Sequence, residues 1–204
     1  MSFPTTSVLT SFTGADESPL SEGGAWAGPV ESGIAQMRRV SNTVKAAAAS
    51  GGSYRTGLSS ADLEAYLDVI TLPTAGNGAI VRLRIQNPGN TTTATCYIWV
   101  YIVGTGFQWY KMTAGHTYTQ IGATFTPHTL AAGEQLGASV IGTTISGYYG
   151  VGGAWTLVDS RTDASISGAG TIGLGADESV TTVLDNFGGG AIVAVVELVG
   201  AVPI

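Results

Sequence analysis

The stretch that most constrains the fold is residues 96–102, which read Cys-Tyr-Ile-Trp-Val-Tyr-Ile. Successive side chains of a β-strand point to opposite faces of the sheet. The even-numbered residues therefore share one small aliphatic face, and Tyr97, Trp99 and Tyr101 share the other. β-Branched and aromatic residues favour a pleated surface that is packed on at least one side. The stretch predicts a central strand whose aliphatic face lies in the core and whose aromatic face points away from it.

The composition fits a single all-β domain with a large core. Of the 204 residues, 44% are hydrophobic and only 11% are charged, against about 25% charged in an average globular protein. A surface so poor in charge predicts contacts with other subunits, and we expect a homo-oligomer. The net charge of −6 argues against a nucleic-acid-binding protein, which needs a basic face.

The sequence carries no membrane or secretion signal that we recognise. Residues 191–199 are apolar, but they are interrupted by Glu197 and are too few to span a bilayer. The first residues lack the basic region and the apolar run of a signal peptide. We therefore expect no membrane insertion and synthesis in the cytoplasm. The single cysteine, Cys96, lies on the aliphatic face and is interpreted as a small buried hydrophobe.

Short strands separated by turn residues recur along the whole chain, as in a sandwich or a barrel. Trp26, in the long loop after the first strand, is expected to plug one end of the core. Gly152 and Gly153 predict a tight hairpin. The predicted strands are 7–12, 34–40, 43–47, 53–56, 79–86, 96–102, 107–113, 118–122, 135–141, 145–149, 154–158, 171–174, 180–187 and 192–198.

Residues 59–71 fit two patterns. Apolar residues at 63, 66, 67 and 70 have helical spacing, and Ser59 followed by Asp62 is typical of a helix start. Apolar residues at 63, 65, 67 and 69 also alternate with Asp62, Glu64, Tyr66 and Asp68, which is typical of a strand. The pattern alone leaves both structures open.

Several segments resemble, in order and spacing, the LamG-like, concanavalin A-like jelly-roll domains of bacteriophage virion proteins. The opening Phe-Thr-Gly-Ala-Asp at 12–16 with Trp26 is similar to the start of such domains, and Tyr-Arg-Thr at 54–56 followed by 62–66 resembles their next strand pair. Residues 130–136 look like a strand entry of that family. The closest segments are 163–174 and the Leu-Asp-Asn-Phe at 184–187.

The resemblance implies an all-β fold, a two-sheet antiparallel β-sandwich with concanavalin A-like jelly-roll topology. It makes residues 62–71 a strand. The jelly-roll domain would span 1–188, and residues 189–204 would form a C-terminal extra strand packed on the same domain or on a partner. Such modules are usually carbohydrate-binding or virion accessory proteins, and some relatives of the fold are glycosidases.

The aromatic face is the first candidate site. Tyr97, Trp99 and Tyr101, with Trp109 on the neighbouring strand, would form a platform for carbohydrate, because aromatic rings pack against the C–H bonds of sugars. The same row also fits a face that loops or another subunit cover, in which case it is core or interface.

Acidic residues suggest two further sites. Asp62, Glu64 and Asp68 share one strand face, about 6.5 Å between neighbours two apart, a separation that glycosidases use, although a solvated acidic face explains them as well. Asp16 and Asp185 are the residues we assign to a structural Ca²⁺, the one cofactor considered. No contiguous loop supplies the oxygens that calcium needs, and Asp is common in turns.

These observations predict a non-enzymatic virion accessory protein, a capsid decoration or minor tail component. It would bind host-surface glycan weakly and gain strength from many copies. Its partners would be other virion proteins, and it would be exposed on the virion surface. A glycoside hydrolase or polysaccharide lyase acting through Asp62, Glu64 or Asp68, and a purely structural assembly subunit, are the alternatives.

Overall fold

The structure, a computed structural model, describes residues 2–31, 33–90, 92–113, 116–177 and 180–193. Fifteen strands and no helix occur among them. The strands are β1 (Val8–Thr10), β2 (Trp26–Ala27), β3 (Met37–Val40), β4 (Thr43–Ala46), β5 (Gly51–Arg55), β6 (Leu63–Thr71), β7 (Gly78–Gln86), β8 (Thr95–Ile102), β9 (Gly106–Thr113), β10 (Thr117–Gln120), β11 (Glu134–Ile141), β12 (Thr144–Val151), β13 (Ala154–Thr162), β14 (Thr171–Ala176) and β15 (Val183–Ala191).

The strands form two antiparallel sheets, so the predicted two-sheet sandwich is confirmed. The eight-stranded sheet has the order β13-β12-β11-β6-β15-β4-β3, with β1 also paired to β15. The seven-stranded sheet has the order β10-β9-β8-β7-β14-β5-β2. The main core lies between the two sheets, and Trp26 is buried in it as predicted.

Residues 63–71 form strand β6, so the helical alternative is wrong. Leu63, Ala65, Leu67 and Val69 all belong to the core between the sheets. Strand β6 pairs with β11 on one side and β15 on the other. Its alternation therefore gives it one core face and one outer face, which a helix of the same residues would not match.

Strand β7 contains a bulge that the sequence pattern does not predict. Leu83 lies opposite Tyr97 and Gln86 lies opposite Thr95, so β7 has one residue more than β8 over this interval. Arg84 lies there with a φ of 48°. Leu83 packs in the main core, whereas Ile85 packs on the outer face of the sheet. Leu83 and Ile85, two positions apart, therefore face opposite sides of the sheet, which a regular strand would not allow.

Strand β15 continues across the predicted domain boundary at residue 188. Residues 188–190 lie inside β15 and pair with Tyr66, Ala65 and Glu64. Gly188 is needed there because a Cβ atom would lie 2.1 Å from the ring of Tyr66. A boundary at 188 thus cuts through a strand. Most of the predicted strand 192–198 lies outside the described residues, and Ile192 and Val193 are not in a strand.

Candidate functional site

The four aromatic residues of the predicted platform lie inside the sandwich. Tyr97, Trp99 and Trp109 are fully buried and Tyr101 is 3% exposed, all in the core between the sheets. The prediction that the aromatic face points away from the core is therefore wrong. Gly147 on β12 leaves room for Trp99, because a Cβ there would lie 2.5 Å from the ring. In this position the rings are not accessible to a ligand.

Glu64 and Asp68 of β6 lie on the outer face of the eight-stranded sheet, Asp62 directly precedes the strand, and each of the three has partners. Glu64 is 1% exposed, and its Oε1 accepts hydrogen bonds from Thr5 N at 2.6 Å, Thr6 N at 2.5 Å and Thr6 Oγ1 at 2.7 Å. Asp62 accepts from the backbone of Gly142. Asp68 accepts from Gln135 and Asn186. These contacts give each of the three carboxylates a structural role.

The two residues assigned to calcium have unrelated partners. Asp16 is exposed and accepts a hydrogen bond from Ser41 N at 2.8 Å. Asp185 lies opposite Asp68 in the β15–β6 pair, and burial together with that carboxylate raises its pKa. Within the described residues, no group of three or more His, Cys, Asp or Glu side chains could hold a metal ion. Calcium stays a prediction.

The aliphatic face of β8, expected in the core, instead forms the floor of a cavity on the outer face of the seven-stranded sheet. The cavity has a volume of about 340 Å³, within the range of small-molecule sites. Ile98, Val100 and Ile102 line its floor, and Tyr110 and Tyr118 come from β9 and β10. The other lining residues are Glu31, Ile34, Ser50, Gly51, Ile80, Arg82, Ala176 and Asp177.

A buried ion pair lies at one side of this cavity. Arg82 Nη2 donates to Glu31 Oε1 at 2.9 Å, and the side chains are 4% and 2% exposed. Burial alone would lower the pKa of Arg82, but the Glu31 carboxylate raises it above its ordinary value, so the guanidinium stays charged. The Tyr118 hydroxyl donates to Glu31 Oε2. Burial and this hydrogen bond raise the pKa of Tyr118.

Arg82 has more donors than the described residues satisfy. Its Nε and Nη1 are buried and have no acceptor among these residues. A Cβ on Gly52 would lie 2.3 Å from Nη1, and one on Gly175 would lie 2.5 Å from it. The guanidinium therefore lies over two glycines on neighbouring strands. A buried N–H without an acceptor costs about 1–3 kcal/mol. Both nitrogens are covered by protein atoms, so a ligand oxygen in the cavity reaches them only after a neighbouring side chain moves.

Cys96 lies close to the same ion pair and takes no chemical role. It is fully buried, as predicted. Burial raises the pKa of its thiol to about 12, although Arg82 acts to lower it. A thiol with this pKa is protonated at neutral pH and is a poor nucleophile.

A second groove lies on the same face, toward the other end of the strands. It has a volume of about 550 Å³. Its lining residues are Tyr54, Arg55, Thr56, Gly57, Leu58, Ser59, Ile85, Gln86, Asn87, Pro88, Ala169, Gly170 and Thr171.

The sequence analysis did not find Glu31 or Arg82 as site residues. One signal was present, because Arg82 is a charge inside an otherwise buried strand and such residues are rarely buried without a function or a partner. Glu31 lies in a loop and gives no such signal. Its pairing with Arg82 depends on a contact 51 residues away in sequence.

Comparison with known proteins identifies the fold. No family model and no curated protein matches the sequence. The carbohydrate-binding module CBM66 from Bacillus subtilis aligns with a TM-score of 0.60 and 16% identity over 84% of this chain and 99% of that one. The exoplasmic/lumenal domain of VIP36, bound to Ca²⁺ and Man3GlcNAc, aligns with a TM-score of 0.58 and 11% identity over 88% and 86%.

The β-glucanase of Bacillus licheniformis is similar as well, with a TM-score of 0.54 and 11% identity over 90% of this chain and 97% of that one. The predicted concanavalin A-like jelly-roll sandwich is thereby confirmed. At these identities the likeness shows the fold alone. The narrower resemblance to phage virion domains stays a prediction.

The expectation of a non-enzymatic protein is corrected by the same comparison. The β-glucanase has this sandwich, as do structures described as glycosyl hydrolases. The fold therefore gives no ground for excluding catalysis. Among the described residues, no helix is long and apolar enough to cross a membrane.

Proposed function

We propose that this chain binds an uncharged saccharide in the cavity beside Arg82. The observation that carries the proposal is the buried guanidinium, whose Nε and Nη1 have no acceptor among the described residues and which lines a cavity of about 340 Å³. Ring and hydroxyl oxygens of a sugar accept hydrogen bonds from such donors. The jelly-roll fold, which CBM66 and VIP36 share, supports the assignment.

The rest of the lining complements a sugar. Asp177 supplies carboxylate oxygens, which accept hydrogen bonds from hydroxyl groups, whereas both oxygens of Glu31 already accept from Arg82 and Tyr118. The aliphatic floor and the ring of Tyr110 offer an apolar surface to the C–H face of a sugar. The cavity is lined by two carboxylates and one guanidinium, and the whole chain has a net charge of −6. Binding of a negatively charged sugar is therefore disfavoured.

The test is a printed glycan array followed by calorimetric titration of the glycans that bind. Val100→Phe places a ring in the cavity floor, and we expect it to weaken binding about tenfold or more. Val151→Phe is the matched control, because Val151 is 42% exposed and lies outside the cavity lining. Circular dichroism checks that both variants fold.

Two results would contradict the proposal. Absence of binding to every glycan on the array would remove the function itself. Unchanged binding by Val100→Phe would place the site elsewhere. Glu31 and Asp177 line the same cavity, so hydrolysis of a bound glycan is tested as well. Glycans that bind are incubated with the protein and analysed for hydrolysis products. The result shows whether the protein only binds the glycan or also cleaves it.

The sequence resemblance supports a further part of this proposal, that the chain acts on a virion surface in several copies. Many copies would turn weak binding into stable attachment to host glycan. The measurements are light scattering of the purified chain and detection of the chain in purified particles. A monomer absent from particles would contradict this part and leave saccharide binding intact.

Calcium is tested in the same titrations. We propose that any effect of calcium acts through Asp16 and Asp185, the residues that the sequence analysis assigns to it. Glycan affinity that falls on chelation with EDTA, and is insensitive to EDTA in Asp185→Asn, supports the assignment. Equal affinity with and without EDTA in the unmodified chain contradicts it.

A further inference from the structure

We propose that the cavity receives the end of a saccharide chain and excludes an internal stretch, because residues 30 and 31 form a wall across the face of the seven-stranded sheet. This inference rests on the proposed saccharide binding. It adds the class of ligand, which is the terminal residue of an oligosaccharide or polysaccharide. The argument depends on where the wall is attached and on what lies on either side of it.

The wall begins at one edge of the sheet and contacts the opposite edge. Residues 28–31 follow β2, which is the last strand on one side. Val30 is fully buried and packs in a cluster with Cys96 and Met112 of β8 and β9. Glu31 reaches Tyr118 of β10, the last strand on the other side. The segment therefore passes over the middle of the sheet.

The wall is also fixed to the floor and returns to the first edge. Glu31 pairs with Arg82 of β7 in the centre of the sheet. Ile34 then lines the cavity. Ala35 hydrogen-bonds to the backbone of Ser50 and Gly52 at the β5 edge. The wall is held in place by the Arg82–Glu31 ion pair, the hydrogen bond from Tyr118, the burial of Val30 and the backbone hydrogen bonds of Ala35.

The cavity and the second groove lie on opposite sides of this wall. Along β7 and the turn after it, the cavity takes residues 80 and 82, whereas the groove takes 85–87. Along β5 and its flanking residues the division is 50–51 against 54–56, and along β14 and its flanking residues it is 176–177 against 169–171. In between lie Gly52 and Gly175, over which the guanidinium of Arg82 is placed. The ion pair thus closes the cavity on the side of the groove.

Because the cavity is closed on the side of the groove, it limits which part of a polysaccharide can enter. An internal residue of a polysaccharide needs an exit for the chain at both of its linkages. A pocket closed by the Arg82–Glu31 pair and Val30 leaves room for one linkage to point outward. The terminal residue enters and the rest of the chain stays in solvent, so residues beyond the first add little to the binding free energy.

The experiment measures affinity against chain length. The probes are mixed-linkage β-1,3-1,4-glucan, α-1,4-glucan and α-mannan, each from disaccharide to octasaccharide, with cyclic α-1,4-glucan as a form that has no ends. The matched pair is linear maltohexaose and α-cyclodextrin, which contain the same sugar residues. Calorimetry on the full chain gives Kd per mole of saccharide chain.

We expect a Kd that stays constant within about twofold from the disaccharide upward and no binding of a cyclic glucan whose linear form binds. Affinity that rises with each added residue, or binding of the cyclic form, would overturn the chain-end inference and leave saccharide binding standing. Absence of binding to all three series and to the wider glycan array would overturn the proposed function, and this inference with it.

Discussion

Two groups of charged residues, one on the outer face of each sheet, differ in how far their hydrogen bonds are satisfied. On the eight-stranded sheet, Asp62, Glu64 and Asp68 look like a site in the sequence, but hydrogen bonds occupy each of them. On the seven-stranded sheet, Glu31 gives no signal in the sequence, and Arg82 is marked only as a charge within a mostly apolar strand. Yet Arg82 has two nitrogens without an acceptor among the described residues. Unmet hydrogen-bonding capacity beside a cavity, more than the number of charges, distinguishes a candidate site here.

Arg82→Met is the variant for which we expect the largest effect, because it removes the buried cation of the seven-stranded sheet. The variant leaves the Glu31 carboxylate buried without its cation, and we expect a loss of about 3–5 kcal/mol in the free energy of unfolding. Saccharide binding should be lost as well. Urea denaturation and calorimetric titration measure the two effects.

The double variant Arg82→Met with Glu31→Gln separates stability from binding. It removes both charges, so most of the lost stability should return, while the donors that a sugar needs stay absent. A double variant that binds saccharide as the unmodified chain does would contradict the role of Arg82. A single variant as stable as the unmodified chain would contradict the buried pair.

Glu64→Ala tests the eight-stranded sheet, where we expect a structural effect alone. It removes the acceptor of three hydrogen bonds from Thr5 and Thr6, and we expect a loss of about 1.5–3 kcal/mol in the free energy of unfolding. Glu64→Gln, which keeps one acceptor oxygen, should lose less. Saccharide affinity unaltered in both variants supports the comparison, and reduced affinity in the folded Gln variant would contradict it.

Asp163→Asn should give the smallest effect, about 1 kcal/mol. Burial raises the pKa of Asp163, but hydrogen bonds from Ser165 and Tyr97 and the nearby Lys111 lower it below 3.8 overall. The ionised group therefore adds stability above pH 3.8, and this contribution disappears as the pH falls through the lower folded value. Urea denaturation at a series of pH values should show a difference between variant and unmodified chain that shrinks in acid. A stability difference that stays the same at every pH would contradict the lowered pKa of Asp163.

Much of the fold could be predicted from the alternation of apolar residues. Strand β8 and the hairpin around Gly152 follow from local patterns, because period two and turn residues are properties of short segments. For β6 the pattern alone left a helix open, and the resemblance to jelly-roll domains favoured the strand. The inner face of β8 could not be predicted, because both of its faces are buried. Alternation separates Trp99 from Val100, but which of them meets the second sheet depends on packing partners such as Gly147.

The candidate site was less predictable than the fold. Arg82 could have been noticed as a charge among buried residues. Glu31, Gly52 and Gly175 come from three distant segments that meet around one guanidinium. Their relation depends on tertiary contacts, so no local spacing carries it. The Gly188 region shows the same limit, because a glycine that admits the ring of Tyr66 looks like a turn in the sequence.

The bulge at Arg84 divides strand β7 into two halves of opposite parity. Before it, even-numbered residues such as Arg82 face outward, and after it the odd-numbered Ile85 does. Deleting Arg84 would remove the extra residue, place Ile85 opposite Cys96 and leave its outward orientation unchanged. Straightening the bulge while Arg84 is kept would instead turn Ile85 toward the second sheet. The outward position of Ile85 therefore depends on the bulge absorbing one residue, so insertions and deletions at this point of β7 alter which residues line the second groove.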